Sequence, residues 1–302
     1  MNIASLAIKS FRNRKLSVGL AIASIALSVA LLLGVEILRS EAKSGFASTV
    51  SGTDLIVGAR GGSVNLLLYS VFRIGNPSNN IEWHSYEEIS NLPGVKWSIP
   101  LSMGDTHAGF RVVGTDDNYI KHYRYARDRR LGLQQGAWFE HKDEAVLGAK
   151  VAASLGYRLG DEIVVAHGAG DESFIKHDDQ PFRVVGILAA TGTPVDRTVH
   201  VSLAGFDHMH KAWQTGNDGH EGEHHETKYA ISAFLLGLES RAAAVGLQRR
   251  INQFEKKPLS AIMPGVTLLE LWEIVGLVEY TLRAISIRPC IYLLCLSWLI
   301  FS

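Results

Sequence analysis

From Leu16 to Val35 the sequence reads LSVGLAIASIALSVALLLGV, without one charged side chain. About 20 such residues, each rising about 1.5 Å in a helix, cross a hydrocarbon core of roughly 30 Å. This run predicts a transmembrane helix over 16–38. Lys9, Arg12, Arg14 and Lys15 stand just before it, and the first fifteen residues hold no acid. That excess of positive charge predicts a cytoplasmic N-terminus and a following chain sent across the membrane. Ile3, Leu6, Ala7 and Phe11 suit a short surface helix over 1–15, lying along the inner face. A cleavable signal peptide has a shorter apolar region and a small-x-small site. Here the run ends Leu31-Leu32-Leu33-Gly34-Val35-Glu36, so an uncleaved anchor is expected.

The averaged composition hides this segment. Over 302 residues, 30 Lys and Arg balance 30 Asp and Glu, and the net charge of zero argues against a nucleic-acid partner. The only two cysteines, Cys290 and Cys295, fall in the last stretch. Everything before them is free of disulfides and thiolate metal sites.

Residues 39–265 read as a water-soluble domain large enough to bury its own core. Asp54 to Gly58 reads as a strand followed by a Gly61-Gly62 turn. Ser85-Tyr86-Glu87-Glu88 has capping-box spacing and predicts a helix running to the Pro93-Gly94 stop. Phe110 to Gly114, Glu162 to His167, Phe182 to Leu188 and Tyr229 to Leu238 read as strands. Gly148 to Leu155 reads as a helix stopped by Gly156, and Leu247, Ile251 and Phe254 follow helical spacing. Strands and helices in no strict βαβ alternation predict an α+β fold, a mixed α/β domain in two lobes.

Residues 266–302 differ again. Val266 to Ile285 is apolar but carries Glu270, Glu273 and Glu279, which suits an amphipathic helix approaching the membrane. Ile291 to Phe301 then supplies an eleven-residue apolar stretch behind Arg288-Pro289. That covers about half the hydrocarbon thickness, so a partial second transmembrane segment is expected.

Motifs for chemistry are sparse. Gly58-Ala59-Arg60-Gly61-Gly62 lacks the lysine and spacing of a phosphate loop and reads as a turn. His220-Glu221-Gly222-Glu223-His224 matches the zinc-hydrolase pattern, but Gly216, Gly219 and Gly222 favour a loop over the rigid helix that chemistry needs. The wider run His208, His210, His220, His224 and His225 places five of twelve histidines in eighteen positions, with Glu221, Glu223 and Glu226 beside them. Neutral imidazoles suit zinc, so these five are the candidate metal ligands; a solvated loop with weak metal affinity is the competing reading. His107, His122, His141, His167, His177 and His200 are scattered and read as satisfied structural residues. Lys121, Arg124, Arg127, Arg129 and Arg130 interleave with Tyr119, Tyr123 and Tyr125, a pattern that suits lipid headgroups or an anionic partner as well as a solvated helix face. No catalytic triad or carboxylate pair stands at a recognisable spacing.

Several segments together resemble one family. They are Asn2 to Ala7 with Arg12-Asn13-Arg14-Lys15 leading into the span, Gly52-Thr53-Asp54-Leu55-Ile56-Val57-Gly58-Ala59, Val146 to Ala152 with Leu159-Gly160-Asp161, Phe182 to Leu188, and Thr193-Pro194-Val195-Asp196-Arg197. In this order around one early span they are similar to the permease subunits of MacB-like and lipoprotein-releasing-type (FtsX-like) ABC transporters. The resemblance implies a MacB-like periplasmic core domain in a bacterial inner membrane protein and no catalytic residue or cofactor of its own. It also implies a separate ABC ATPase subunit as partner, and a homodimer or a heterodimer with another permease. Such permeases continue into three further spans and an ATPase-docking loop, whereas this sequence departs after Ile287, so a chain truncated after the core domain and not transport-competent alone is expected. The other reading is a single-pass, membrane-anchored periplasmic binding module with a His-rich metal-responsive loop; a membrane-anchored zinc hydrolase ranks last.

Overall fold

The computed structural model describes scattered positions between residues 19 and 49, then residues 51–167, 181–209, 229–254 and 257–277. The chain divides into two units, Met1–Phe46 and Ala47–Ser302. In the first, the described positions are helical, and Ile22, Ile25, Leu27, Leu31, Leu33 and Ile37 are all exposed. Among the described residues no helix is long and apolar enough to cross a membrane.

The second unit is built on β1 (Leu55–Ala59), β2 (Ile81–Glu82), β3 (Val95–His107), β4 (Phe110–Thr115), β5 (Arg124–Tyr125), β6 (Arg129–Arg130), β7 (Leu133–Gly136) and β8 (Glu144–Leu147). There follow β9 (Glu162–Ile163), β10 (Ala166–His167), β11 (Phe182–Leu188), β12 (Thr198–Ser202), β13 (Ala230–Ile231), β14 (Ala233–Leu238) and β15 (Leu259–Ile262). Eleven of them form one mixed sheet in the order β15-β1-β14-β3-β4-β12-β8-β11-β7, with β10 on β3 and β9 on β11. The β4–β12 and β8–β11 pairs are parallel and the other neighbours along that order antiparallel. The mixed α/β expectation is met.

β3 joins two lobes. Its first half, Val95 to Leu101, pairs with β14, while Ser102 to His107 pairs with β4, across a register shift between Met103 and Thr106. Each half has its own core. Leu55, Val57, Phe234 and Leu236 of the first lobe pack with Ile89, Leu247 and Ile251 from the helices α2 (Trp83–Ser90) and α5 (Ala244–Asn252). Val112, Ala145, Leu147, Val184, Val199 and Val201 line the second, against Val151 of helix α4 (Ala149–Leu155). These three short helices bury one face each, so tertiary burial rather than length holds them. Helices α1 (Ser63–Leu67) and α3 (Asp117–His122) belong to the same framework.

Two expected strands are broken. Glu162 to His167 splits into β9 and β10, which pair with different partners. Tyr229 to Leu238 splits at Ser232, whose hydroxyl accepts from the Met103 amide at 3.0 Å. The capping box at Ser85 is not used: α2 begins at Trp83, its N-cap is Glu82 without a side-chain bond, and Ser85 is buried within the helix. Trp83 packs against the first core, and that contact outweighs the cap.

Candidate functional site

Among the described residues, a group of polar and aromatic side chains gathers beside β3, where the strand changes register. The approach is a π-helix, Leu68–Phe72, closed by Arg73 in the left-handed region at φ 61°. Both features are uncommon and often mark functional segments. The Arg73 Nη1 donates to the Ser70 carbonyl and reaches Met103 Sδ at 3.6 Å; Nη2 donates to the Tyr119 hydroxyl at 3.4 Å. Arg111 of β4 fixes the next turn, donating to Asn76 Oδ1 and the Gly75 carbonyl at 2.9 Å each. The segment after the π-helix is therefore tied to the second lobe.

Tyr119 is fully buried at the centre of an aromatic box. Its ring stacks on Tyr123 at 4.9 Å and on Trp138 at 6.2 Å, and lies 5.1 Å from the His200 ring. Trp138 and His200 are 6.0 Å apart. Met103 pairs with Val113 and Val113 with His200, so these residues form one row across β3, β4 and β12 and share a face of the sheet. Burial, and then the Arg73 charge, push the His200 pKa down to about 3, so its ring is neutral. Nδ1 lies 3.4 Å from the Val146 carbonyl, to which it donates when it carries the proton. Among the described residues, Arg73 Nε, Trp138 Nε1 and His200 Nε2 are buried with no hydrogen-bond partner. The box can bind and position; it holds no nucleophile with an adjacent base.

The basic stretch is real but differently composed. Tyr119 and Tyr123 are interior residues, and the Tyr123 hydroxyl donates to the Thr49 carbonyl at 2.8 Å, so neither interleaves with cations on the surface. Lys121, Arg127, Arg129 and Arg130 are exposed. His122 stacks on Trp97, and desolvation, then Arg124, Lys121, Lys96 and Arg130, hold its pKa low. Asp117 pairs with Lys121 at 3.5 Å and Asp128 with Arg124 at 3.6 Å.

Of the five candidate metal ligands, His208 is exposed on a helix over 203–209, and His210, His220, His224 and His225 lie outside the described residues. Glu221, Glu223 and Glu226 lie outside them as well. Among the described residues no group of three potential ligands gathers. His107 is a satisfied structural residue, with Nδ1 2.6 Å from the Val164 carbonyl and Nε2 3.1 Å from the Tyr157 hydroxyl. His200 is only half so. Sequence reasoning missed Arg73 and Trp138, because no spacing announces which side chains from a turn and a connecting segment meet a residue of β12. In the final described helix, over 264–277, Val266, Leu269, Ile274, Val275 and Leu277 are exposed, and Glu270 accepts from the Ser63 hydroxyl at 2.9 Å.

The sequence matches the family of MacB-like periplasmic core domains over residues 18–253. The chain belongs to that family. A MacB-like chain of this kind is a component of an ABC transporter permease and not itself an enzyme, and ATP hydrolysis lies in a separate subunit. Two solved structures share a likeness to it. One is the periplasmic region of MacB from Actinobacillus actinomycetemcomitans, at 12% identity and TM-score 0.46, covering 74% of this chain and 94% of that one. The other is the extracellular domain of the noncanonic ABC-type transporter YknZ from Gram-positive bacteria, at 16% identity and TM-score 0.41, covering 70% and 99% respectively. No curated protein matches.

Proposed function

We propose that this chain is the membrane-anchored permease component of an export or mechanotransmission ABC transporter. Its N-terminus lies in the cytoplasm and residues 39–265 lie on the outer side of the bacterial inner membrane. The observation that carries the reading is the family match, which starts inside the apolar run and continues through both lobes of the sheet. The exposed apolar side chains at 22–37 support a lipid-facing helix, since isolated large apolar patches on a surface mark membrane or protein contacts. In this role the chain pairs with an ABC ATPase subunit and with a second permease, identical or not. β3 is shared by both lobes, so a displacement at one end of the domain is passed to the other through a single continuous strand. That suits a part that relays movement rather than one that performs chemistry.

Copurification tests the partnership. The 302-residue chain, extracted in detergent, should carry with it an ABC ATPase subunit encoded beside it, and should hydrolyse no ATP alone. An ATPase that never copurifies, from cells expressing both at matched levels, would point to the single-pass binding module instead.

A further inference from the structure

Three buried nitrogens without partners meet around one tyrosine: Arg73 Nε, Trp138 Nε1 and His200 Nε2. Native interiors leave few such atoms, and each asks for an explanation. They come from three separate parts of the fold, the turn after the π-helix, the segment after β7, and β12. Tyr119 gathers them, with its ring within 6.2 Å of both Trp138 and His200 and its hydroxyl on the Arg73 guanidinium. Arg73 adds a full positive charge, and among the described residues no carboxylate pairs with it. The direction of its Nε–H is set by the Ser70, Met103 and Tyr119 contacts, which leave the planar fork little freedom. Arg73 and Trp138 are half-buried as whole residues, although the two nitrogens themselves are covered, and His200 is fully buried.

Two N–H donors, one of them on an unanswered cation, beside an imidazole nitrogen that becomes a third donor when protonated select a group that accepts several hydrogen bonds and carries negative charge. We propose that the lobe junction is a binding site for a small oxyanion, a carboxylate or a phosphate- or sulfate-type group, held by Arg73 Nε, Trp138 Nε1 and His200 Nε2. The histidine makes the site proton-coupled. With the anion present, a protonated ring donates from Nδ1 to the Val146 carbonyl and from Nε2 to the ligand, and both N–H groups are satisfied. The groups that face His200 are Arg73, Tyr119, Trp138 and the Val146 carbonyl. None of them is an acid, so the ligand supplies the charge that allows the proton on. One proton taken up per anion bound makes affinity rise as pH falls, by up to about tenfold per pH unit. An oxyanion seated there touches both sides of the β3 junction, which makes occupancy a lever on the lobes' relative position.

The test is calorimetric titration of the full chain in detergent with sodium formate and, separately, sodium sulfate, at constant ionic strength and at pH 5.5 and 7.5. The expected result is saturable binding of at least one anion, at least tenfold tighter at pH 5.5. Binding of formate alone identifies a carboxylate pocket, and binding of sulfate a site for tetrahedral anions; either supports the proposal. His200→Gln should keep the fold and lose the pH dependence, Trp138→Phe should weaken binding, and Arg73→Met should abolish it. If Arg73→Met does not fold, the first two variants still decide. No saturable heat with either anion at pH 5.5, or the same heat in His200→Gln and Trp138→Phe as in the parent chain, overturns the site.

Discussion

His200 and Asp116 titrate in opposite senses, and the two residues give the domain an acid response that can be taken apart. His200 has its pKa depressed to about 3 by burial and by Arg73, against an unperturbed 6.5. Between those values the unfolded chain binds the proton and the folded one does not, so stability is full above pH 6.5 and falls as pH drops toward 3. Asp116, the N-cap of α3, has its pKa raised to about 6, from 3.8, chiefly by burial. There the folded state holds the proton, so stability is full below 3.8 and declines as pH rises through 6. We expect His200→Phe to flatten the loss on acidification, measured by urea denaturation in amine buffers free of added oxyanions. Asp116→Asn, whose amide oxygen still accepts from Asn118, should remove the opposing component, leaving a steeper loss than in the parent chain. The sequence could mark His200 as structural but not show its open Nε2, because that depends on lateral neighbours on β4 and β8. Tyr119 and Tyr123 misled for the same reason: alternation with basic residues says nothing about which face is interior.

Elements whose ends are set locally were the legible ones. Helix α4 ends at Leu155 as expected and begins one residue later than expected, with Gly148 as its N-cap and Gly156 at its C-terminal end in the left-handed region at φ 74°. At its start, a Cβ on Gly148 would stand 2.3 Å from the Val195 carbonyl and 2.5 Å from that of Asp196. Gly148→Val should therefore force the 191–197 loop outward and destabilise the domain by about 2 kcal/mol, as overpacking of a tight interior contact does. A urea midpoint unchanged from the parent chain would refute that contact. Illegible were the elements that tertiary partners cut or extend. The expected 229–238 strand broke at Ser232, where its hydroxyl is engaged by Met103, and α2 took Trp83 rather than the Ser85 cap as its start. The 13-residue β3 had no signal of its own, since its two halves pair with different strands, β14 and β4, in the two lobes.

For the whole molecule, the family and the mixed fold were readable because motif order around an early apolar run survives where single motifs do not. The account of the assembled protein rests on which side of the membrane its two lobes occupy. The topology proposed above, argued from the basic residues before the apolar run, puts residues 39–265 outside. The most direct measurement is a pair of reporters fused at Gly170, one active only in the periplasm and one only in the cytoplasm. The periplasmic reporter should be active and the cytoplasmic one silent. Activity of the cytoplasmic reporter, with the periplasmic one silent, would contradict the account at its foundation.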